Sequence, residues 1–168
     1  PFGESHGHVS LEEYNMPMSI TAITHRRNPL VASYISQVTP SESSLIKRVA
    51  YEPLFLAHLR DTLGIRAVKK VSFHEPLTGL RRIVMITLEK GVARAEVWRA
   101  LYGAMSFKSD TGKLCIAVNE DIDPDNADAL FWAMSYRANP DLDLQILRHR
   151  DQGHGPRSKR NAGQDAAV

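Results

Sequence analysis

Arg82-Ile83-Val84-Met85-Ile86-Thr87-Leu88 is the stretch on which the fold turns. Five of its seven side chains are apolar. A short, nearly continuous apolar run of this kind suits a strand buried on both faces of a sheet. Leu114-Cys115-Ile116-Ala117-Val118 repeats the pattern. Between the two runs, residues 93–105 place Val97, Leu101, Ala104 and Met105 at helical intervals, with Trp98 nearby.

Working back toward the start, Ile65 to Phe73 reads as a further strand, with Val68, Val71 and Phe73 as its apolar positions. Thr78-Gly79 marks a turn after it. Before it, Pro40 and the run Ser41-Glu42-Ser43-Ser44 announce a helix, since a Ser side chain can cap the first turn. Leu45, Ile46, Val49, Leu54, Phe55 and Leu59 mark its apolar face, Pro53 should kink or split it, and Gly64 should end it. Earlier still, Met18 to Thr24 alternates and is rich in β-branched residues, the mark of a strand. His25-Arg26-Arg27-Asn28-Pro29 breaks it, and Leu30 to Gln37 reads as the second arm of a hairpin.

Toward the end of the chain, Asp125-Asn126 offers N-cap chemistry for a helix over Ala127 to Tyr136, and Asn139-Pro140-Asp141 stops it. Leu142 to Leu147 alternates and reads as a last strand. The order β-β-α-β-β-α-β-α-β predicts an α/β fold: a mixed β-sheet flanked by helices. Residues 1–150 form the expected domain, and residues 151–168 a flexible basic tail or loop.

Composition bounds the function. With 168 residues, 43% of them apolar, the chain can bury a core. Its 21 Lys and Arg against 19 Asp and Glu leave +2, too little to argue for nucleic acid. The single Cys115 excludes an internal disulfide framework and suits a reducing, cytoplasmic setting. No apolar run approaches the roughly 20 residues of a membrane span. Gly-rich dinucleotide and nucleoside triphosphate fingerprints are absent.

Chemistry-bearing residues gather in four places. Pro1-Phe2-Gly3-Glu4-Ser5-His6-Gly7-His8-Val9-Ser10 has no amphipathic period and reads as a loop. Glu4 there is a candidate general acid or base, although a polar N-terminal stretch is also what a frayed end looks like. His6 and His8 have metal-compatible spacing without a third ligand, so a polar pocket lining or plain surface suits them better. Glu120, Asp121, Asp123 and Asp125 follow a strand end, where they serve a divalent cation or, the preferred reading, the positive end of the next helix. Lys113, after Thr111-Gly112, is either solvated or a point charge for a phosphate. Gly153-His154-Gly155-Pro156-Arg157-Ser158 is a cationic stretch that either closes over an anion or ends the chain loosely.

Three ordered segments together resemble one family. Pro1-Phe2-Gly3-Glu4-Ser5-His6-Gly7-His8 is similar to the Pro-Phe-Gly-(Glu/Asp)-x-x-Gly-(Tyr) signature of the UbiD-type decarboxylases, the polyprenyl-hydroxybenzoate and ferulate decarboxylase family. The segment 112–123 resembles that family's lysine, apolar strand and acidic run. The segment 129–141 resembles its Trp-containing helix end. The resemblance spans about residues 1–155 and implies the fold of the family's C-terminal domain.

The resemblance also implies an activity. Such enzymes reversibly decarboxylate aromatic or α,β-unsaturated carboxylic acids with prenylated FMN and a divalent metal (Mn or Mg). Glu4 matches the proton donor, and Lys113, or Lys108, weakly matches a lysine near the flavin phosphate. His6 and His8 fall on the pocket wall, with His8 replacing the usual Tyr. The other network carboxylate lies five residues before the proton donor, in the family's Glu-Gly-Pro-Phe-Gly, and so ahead of Pro1; the network Arg, the metal ligands and most flavin contacts belong to an upstream split-barrel domain, so no metal ligand is expected here. The chain opens on Pro1, inside its motif. It is therefore expected to be part of something longer and inactive alone, with a flavin-binding domain or subunit as partner and a small carboxylic acid as substrate. A competing reading makes it an assembly module, since the family's C-terminal domain is implied in homo-oligomer formation.

Overall fold

The computed structural model describes residues 2–3, 9–10, 16–33, 41–74, 82–109, 111–148 and 150. Its centre is a three-stranded sheet of β3 (Val68–Phe73), β4 (Ile83–Leu88) and β5 (Leu114–Asn119), in the order β3-β4-β5. β3 runs antiparallel to β4, from Val68↔Leu88 to Phe73↔Val84, with an irregularity between Val68 and Lys70. β4 runs parallel to β5, from Ile83↔Leu114 to Leu88↔Asn119. Parallel neighbours need a crossover, and α2 (Arg94–Phe107) supplies it. The result is the mixed sheet with flanking helices that the alternating pattern predicts.

The central strand is buried on both faces. Val84, Ile86 and Leu88 pack with Phe55, Leu59, Ile65, Phe73, Ala100 and Ala104 beneath α1 and α2. Met85, one residue out of phase, packs on the opposite face with Val118, Ile122, Leu130 and Ala133. Consecutive strand residues point to opposite faces, so β4 seeds both cores. β5, expected to be buried on both faces like β4, is only partly covered, with Leu114 40% exposed. Among the described residues it stands at the sheet edge, with one neighbour instead of two.

α1 (Glu42–Ala57) is capped by Ser41, whose hydroxyl accepts from the Ser44 amide. It passes through Pro53 without being split there. Pro53 lies on the exposed side, where water can serve the carbonyl that its missing N–H leaves free. The winding changes later, in a π-helical turn over His58–Thr62, where the Leu63 amide donates to the His58 carbonyl at 3.0 Å. Gly64 then ends the helix at φ +72°. Phe55 and Leu59 are buried, with Phe55 edge-on to Phe73 and Phe107 at 5.2 and 4.6 Å. Leu45, Ile46, Val49 and Leu54, expected on the same buried face, are exposed.

α1 also closes the open side of β3. The Glu52 carboxylate accepts the Phe73 amide at 2.9 Å and Arg48 Nε at 2.7 Å, which satisfies an edge N–H that has no strand partner among the described residues.

Two strand expectations fail among the described residues. Residues 18–24 and 30–33 carry no ladder pairing; a strand needs a neighbour, and none reaches this segment. Residues 34–40 lie outside the described set. Leu142 to Leu147 is not a strand either. Asn139 caps a short helix, α4 (Pro140–Asp143), and α2 holds the end of that helix and the residues after it through side chains. Arg94 Nη2 donates to the Leu142 carbonyl and the Asp143 carboxylate, both at 2.5 Å, and Tyr102 donates to the Gln145 side chain. α3 (Ala127–Tyr136) forms as expected, capped by Asn126, which accepts from the Asp128 and Ala129 amides. The tail expected over 151–168 falls outside the described residues.

Candidate functional site

The opening motif holds a short antiparallel ribbon rather than a plain loop. β1 (Phe2–Gly3) pairs with β2 (Val9–Ser10), Phe2 opposite Ser10 and Gly3 opposite Val9. The five intervening positions include Glu4, His6 and His8, which all lie outside the described residues.

Two acids of the run after β5, Asp121 and Asp125, are in ion pairs. Asp121 takes Arg137 through two bonds of 3.0 and 2.8 Å, and the same guanidinium lies 4.9 Å from the Trp132 ring. The Arg137 contact holds the Asp121 carboxyl below the ordinary carboxylate range. Asp123 accepts the Asp125 amide at 3.0 Å. Asp125 bridges Arg48 of α1 at 2.5 Å and Lys70 of β3 at 2.9 Å. Burial alone would raise the Asp125 carboxyl; the two cations outweigh it and bring it below its usual value. Asp125 therefore ties the β5–α3 loop to α1 and β3, and Asp121 ties it to the end of α3. Among the described residues, no group of three His, Cys, Asp or Glu side chains is arranged to hold a metal. Asp121 and Asp125 take Arg and Lys partners, where helix-end chemistry was the expectation.

Cations collect instead on the loop that feeds β5. α2 ends at Phe107, and the Thr111 amide donates to the Lys108 carbonyl at 3.3 Å to close a turn. Gly112 comes next at φ +70°, in the left-handed region that costs a residue with a Cβ about 1–2 kcal/mol. Lys113, immediately before β5, is exposed, whereas Lys108 is half-buried with its ammonium 5.1 Å from the Tyr51 ring centroid. Arg150 reaches back across the loop and donates from Nη2 to the carbonyls of Lys108, Ser109 and Thr111 at 3.3, 3.2 and 2.7 Å. Sequence reasoning grouped Arg150 with the basic end of the chain and missed this role. Its only signal was the local Arg excess, which says nothing about what a guanidinium 39 residues downstream will touch.

Cys115 lies under this loop. Burial pushes its thiol up to about 11, against the opposing pull of Arg150. The Thr111 hydroxyl is buried with no hydrogen-bond partner among the described residues. Lys108 and Lys113 flank this turn and Arg150 is bound across it, with Lys108 turned to the Tyr51 ring and Arg150 Nη2 to the three carbonyls.

Comparison with known proteins places the chain. It is 25% identical over 151 residues to the phenolic acid decarboxylase of Sedimentibacter hydroxybenzoicus, covering 89% of this chain and 30% of that protein. The structure is similar to an evolved dimeric form of the UbiD-class enzyme HmfF from Pelotomaculum thermopropionicum in complex with prFMN. The TM-score is 0.67 at 26% identity, covering 76% of this chain and 28% of that one. A second structure of HmfF, in complex with FMN, matches at 24% identity and TM-score 0.61, covering 70% of this chain and 25% of that one, and supports the fold alone. The chain thus spans under a third of the length of these relatives. Residues 45–160 match the 3-octaprenyl-4-hydroxybenzoate carboxy-lyase C-terminal domain, and the chain belongs to that family.

Proposed function

We propose that this chain is the acid-bearing part of a carboxy-lyase that reversibly decarboxylates aromatic or α,β-unsaturated carboxylic acids, with Glu4 as proton donor. The observation that carries the reading is the coincidence of a UbiD-class fold with the Pro1–His8 motif in one chain. Prenylated FMN, when bound, supplies the electron sink for the pair released as the carbon–carboxyl bond breaks. Glu4 then delivers a proton to the carbon that carried the carboxyl group and recovers one from solvent, the work of a poised general acid. Reversed, the Glu4 carboxylate takes the proton and CO₂ returns to that carbon. Lys113, with Lys108 and Arg150 behind it, offers cationic contact to the flavin phosphate, and His6 and His8 line the substrate side.

Metal ligands and most flavin contacts are assigned to the portion of the enzyme that the relatives have outside the matched region. Purified alone, the chain is expected to retain no flavin and to release no CO₂ from a panel of aromatic and acrylic acids; turnover by the isolated chain overturns the reading. Joined to the portion of HmfF that it does not match, it should turn over. Glu4→Gln in that fusion should lose about 10²–10⁴-fold in rate with the oligomeric state unchanged. Unchanged activity in Glu4→Gln leaves the assembly-module reading, which the exposed α3 side chains Phe131, Trp132 and Tyr136 favour.

A further inference from the structure

We infer that residues 142–150 are a strap that lifts from α2 as one unit, and that its lifting frees the loop between α2 and β5, which carries Gly112 and Lys113. The inference stands on contacts within this chain and does not rest on the proposed function. Arg94, Trp98 and Tyr102 lie four residues apart and form one stripe along α2. Arg94 Nη2 donates to the Leu142 carbonyl and the Asp143 carboxylate, both at 2.5 Å. Tyr102, stacked on Trp98 at 5.8 Å, donates to the Gln145 side chain. Arg150 Nη2 donates to the carbonyls of Lys108, Ser109 and Thr111. The contacts fall in the same order on both partners, so the strap follows the helix from its first turn to just past its last. The 14 residues of α2 cover about 21 Å. The eight extended steps from Leu142 to Arg150 cover about 26 Å, so there is little chain to spare.

Polar contacts are what hold the strap. Every residue from Asp141 to Arg148 is exposed, and Leu142, Leu144 and Ile146 stand 56–78% open. No ladder pairing reaches the strap among the described residues. A segment tied by exposed polar contacts opens far more easily than a core element. Each contact also keeps the strap close to the next, as linked binding sites do, so losing one weakens the others.

The loop in turn depends on the strap's last residue. The final carbonyls of a helix lack intrahelical donors and favour a cation. α2 has no basic residue in its last turn, and Arg150 supplies the cation from the strap. The loop's own backbone bond, from the Thr111 amide to the Lys108 carbonyl, is long at 3.3 Å. Directly beneath lies Cys115, whose Sγ would be 2.4 Å from a Cβ built on Gly112. The strap therefore closes the loop over the chain's single cysteine.

Iodoacetamide labelling of Cys115 in the whole chain, without denaturant, reads the opening of this loop. Arg94 sits at the far end of α2 from the loop, yet Arg94→Ala should raise the labelling rate about three- to tenfold. Arg150→Ala should raise it at least as much. The double variant should fall short of the product of the two increases, because one opening serves both. Asp125→Asn, which breaks ion pairs away from the strap, should leave the rate unchanged. Hydrogen exchange read by mass spectrometry separates release from general loss of structure: peptides over residues 108–114 should exchange faster in Arg94→Ala, while those from β4 keep the parent rate. The parent labelling rate in Arg94→Ala overturns the inference. So do multiplicative increases, which mark independent contacts. Faster exchange in β4 together with the loop also overturns it, because the strap would then open only with the core.

Discussion

Gly112→Ala is the sharpest probe of the loop that carries Lys113. Gly112 sits at φ +70°, and a Cβ built there would lie 2.4 Å from Cys115 Sγ and 3.7 Å from Met105 Cγ. Two costs therefore add. The left-handed backbone with a Cβ costs about 1–2 kcal/mol. Forcing a methyl against a packed sulfur costs roughly 1–3 kcal/mol more. The expected loss is about 2–5 kcal/mol, a large fraction of a small domain's stability. Cys115→Ala separates the two costs, because it removes the colliding atom and leaves the backbone angle unchanged. In that background Gly112→Ala should cost only the backbone part, about 1–2 kcal/mol, so the cycle should show favourable coupling of about 1–3 kcal/mol. Urea unfolding of the four proteins, monitored by far-UV circular dichroism, measures every term. A Gly112→Ala loss below about 0.5 kcal/mol refutes the positive φ. An equal loss in both backgrounds refutes the close approach to Cys115.

Two further outcomes concern the same neighbourhoods. Cys115, with its thiol pushed up to about 11, should stay protonated at pH 8 and react with iodoacetamide far more slowly in the folded chain than in urea; equal rates would contradict the burial. Asp125, held below its usual value by Lys70 and Arg48, contributes stability that is present above the ordinary carboxylate range and lost as pH falls through its lowered native value. Its side chain is 44% exposed, so the pairs are screened, and Asp125→Asn should cost only about 0–1 kcal/mol at pH 7. The difference from the parent should shrink as the pH drops below about 4, and a difference that grows there would contradict the assignment.

Local pattern was a sound guide where an element's own neighbours are close in sequence. The apolar run at Ile83–Leu88 read as doubly buried and is so, because its covers, α1 and α2 on one side and α3 on the other, are all present. Asn126 read as an N-cap and caps α3, since capping involves atoms two and three residues apart. Met18–Thr24 and Leu142–Leu147 carry equally good strand patterns and form no strand. Whether a strand forms depends on a ladder partner, and pattern does not report who the partner is. Arg94 and Tyr102 illustrate the competition: they hold the second segment by its side chains and carbonyls.

The candidate site divides in the same way. Sequence by itself determined the residue types: the motif around Glu4, the lysines flanking Thr111-Gly112, and the buried strand behind them. The resemblance to UbiD-type decarboxylases rested on order and spacing along the chain, which need no coordinates. Only the tertiary structure decided that Arg150 binds the carbonyls of residues 108, 109 and 111, and that Asp125 clamps α1 to β3. Those contacts join residues 39 to 77 positions apart. Charge and hydrogen bonding act over a few ångströms of space, and only folding sets which distant residues share that space.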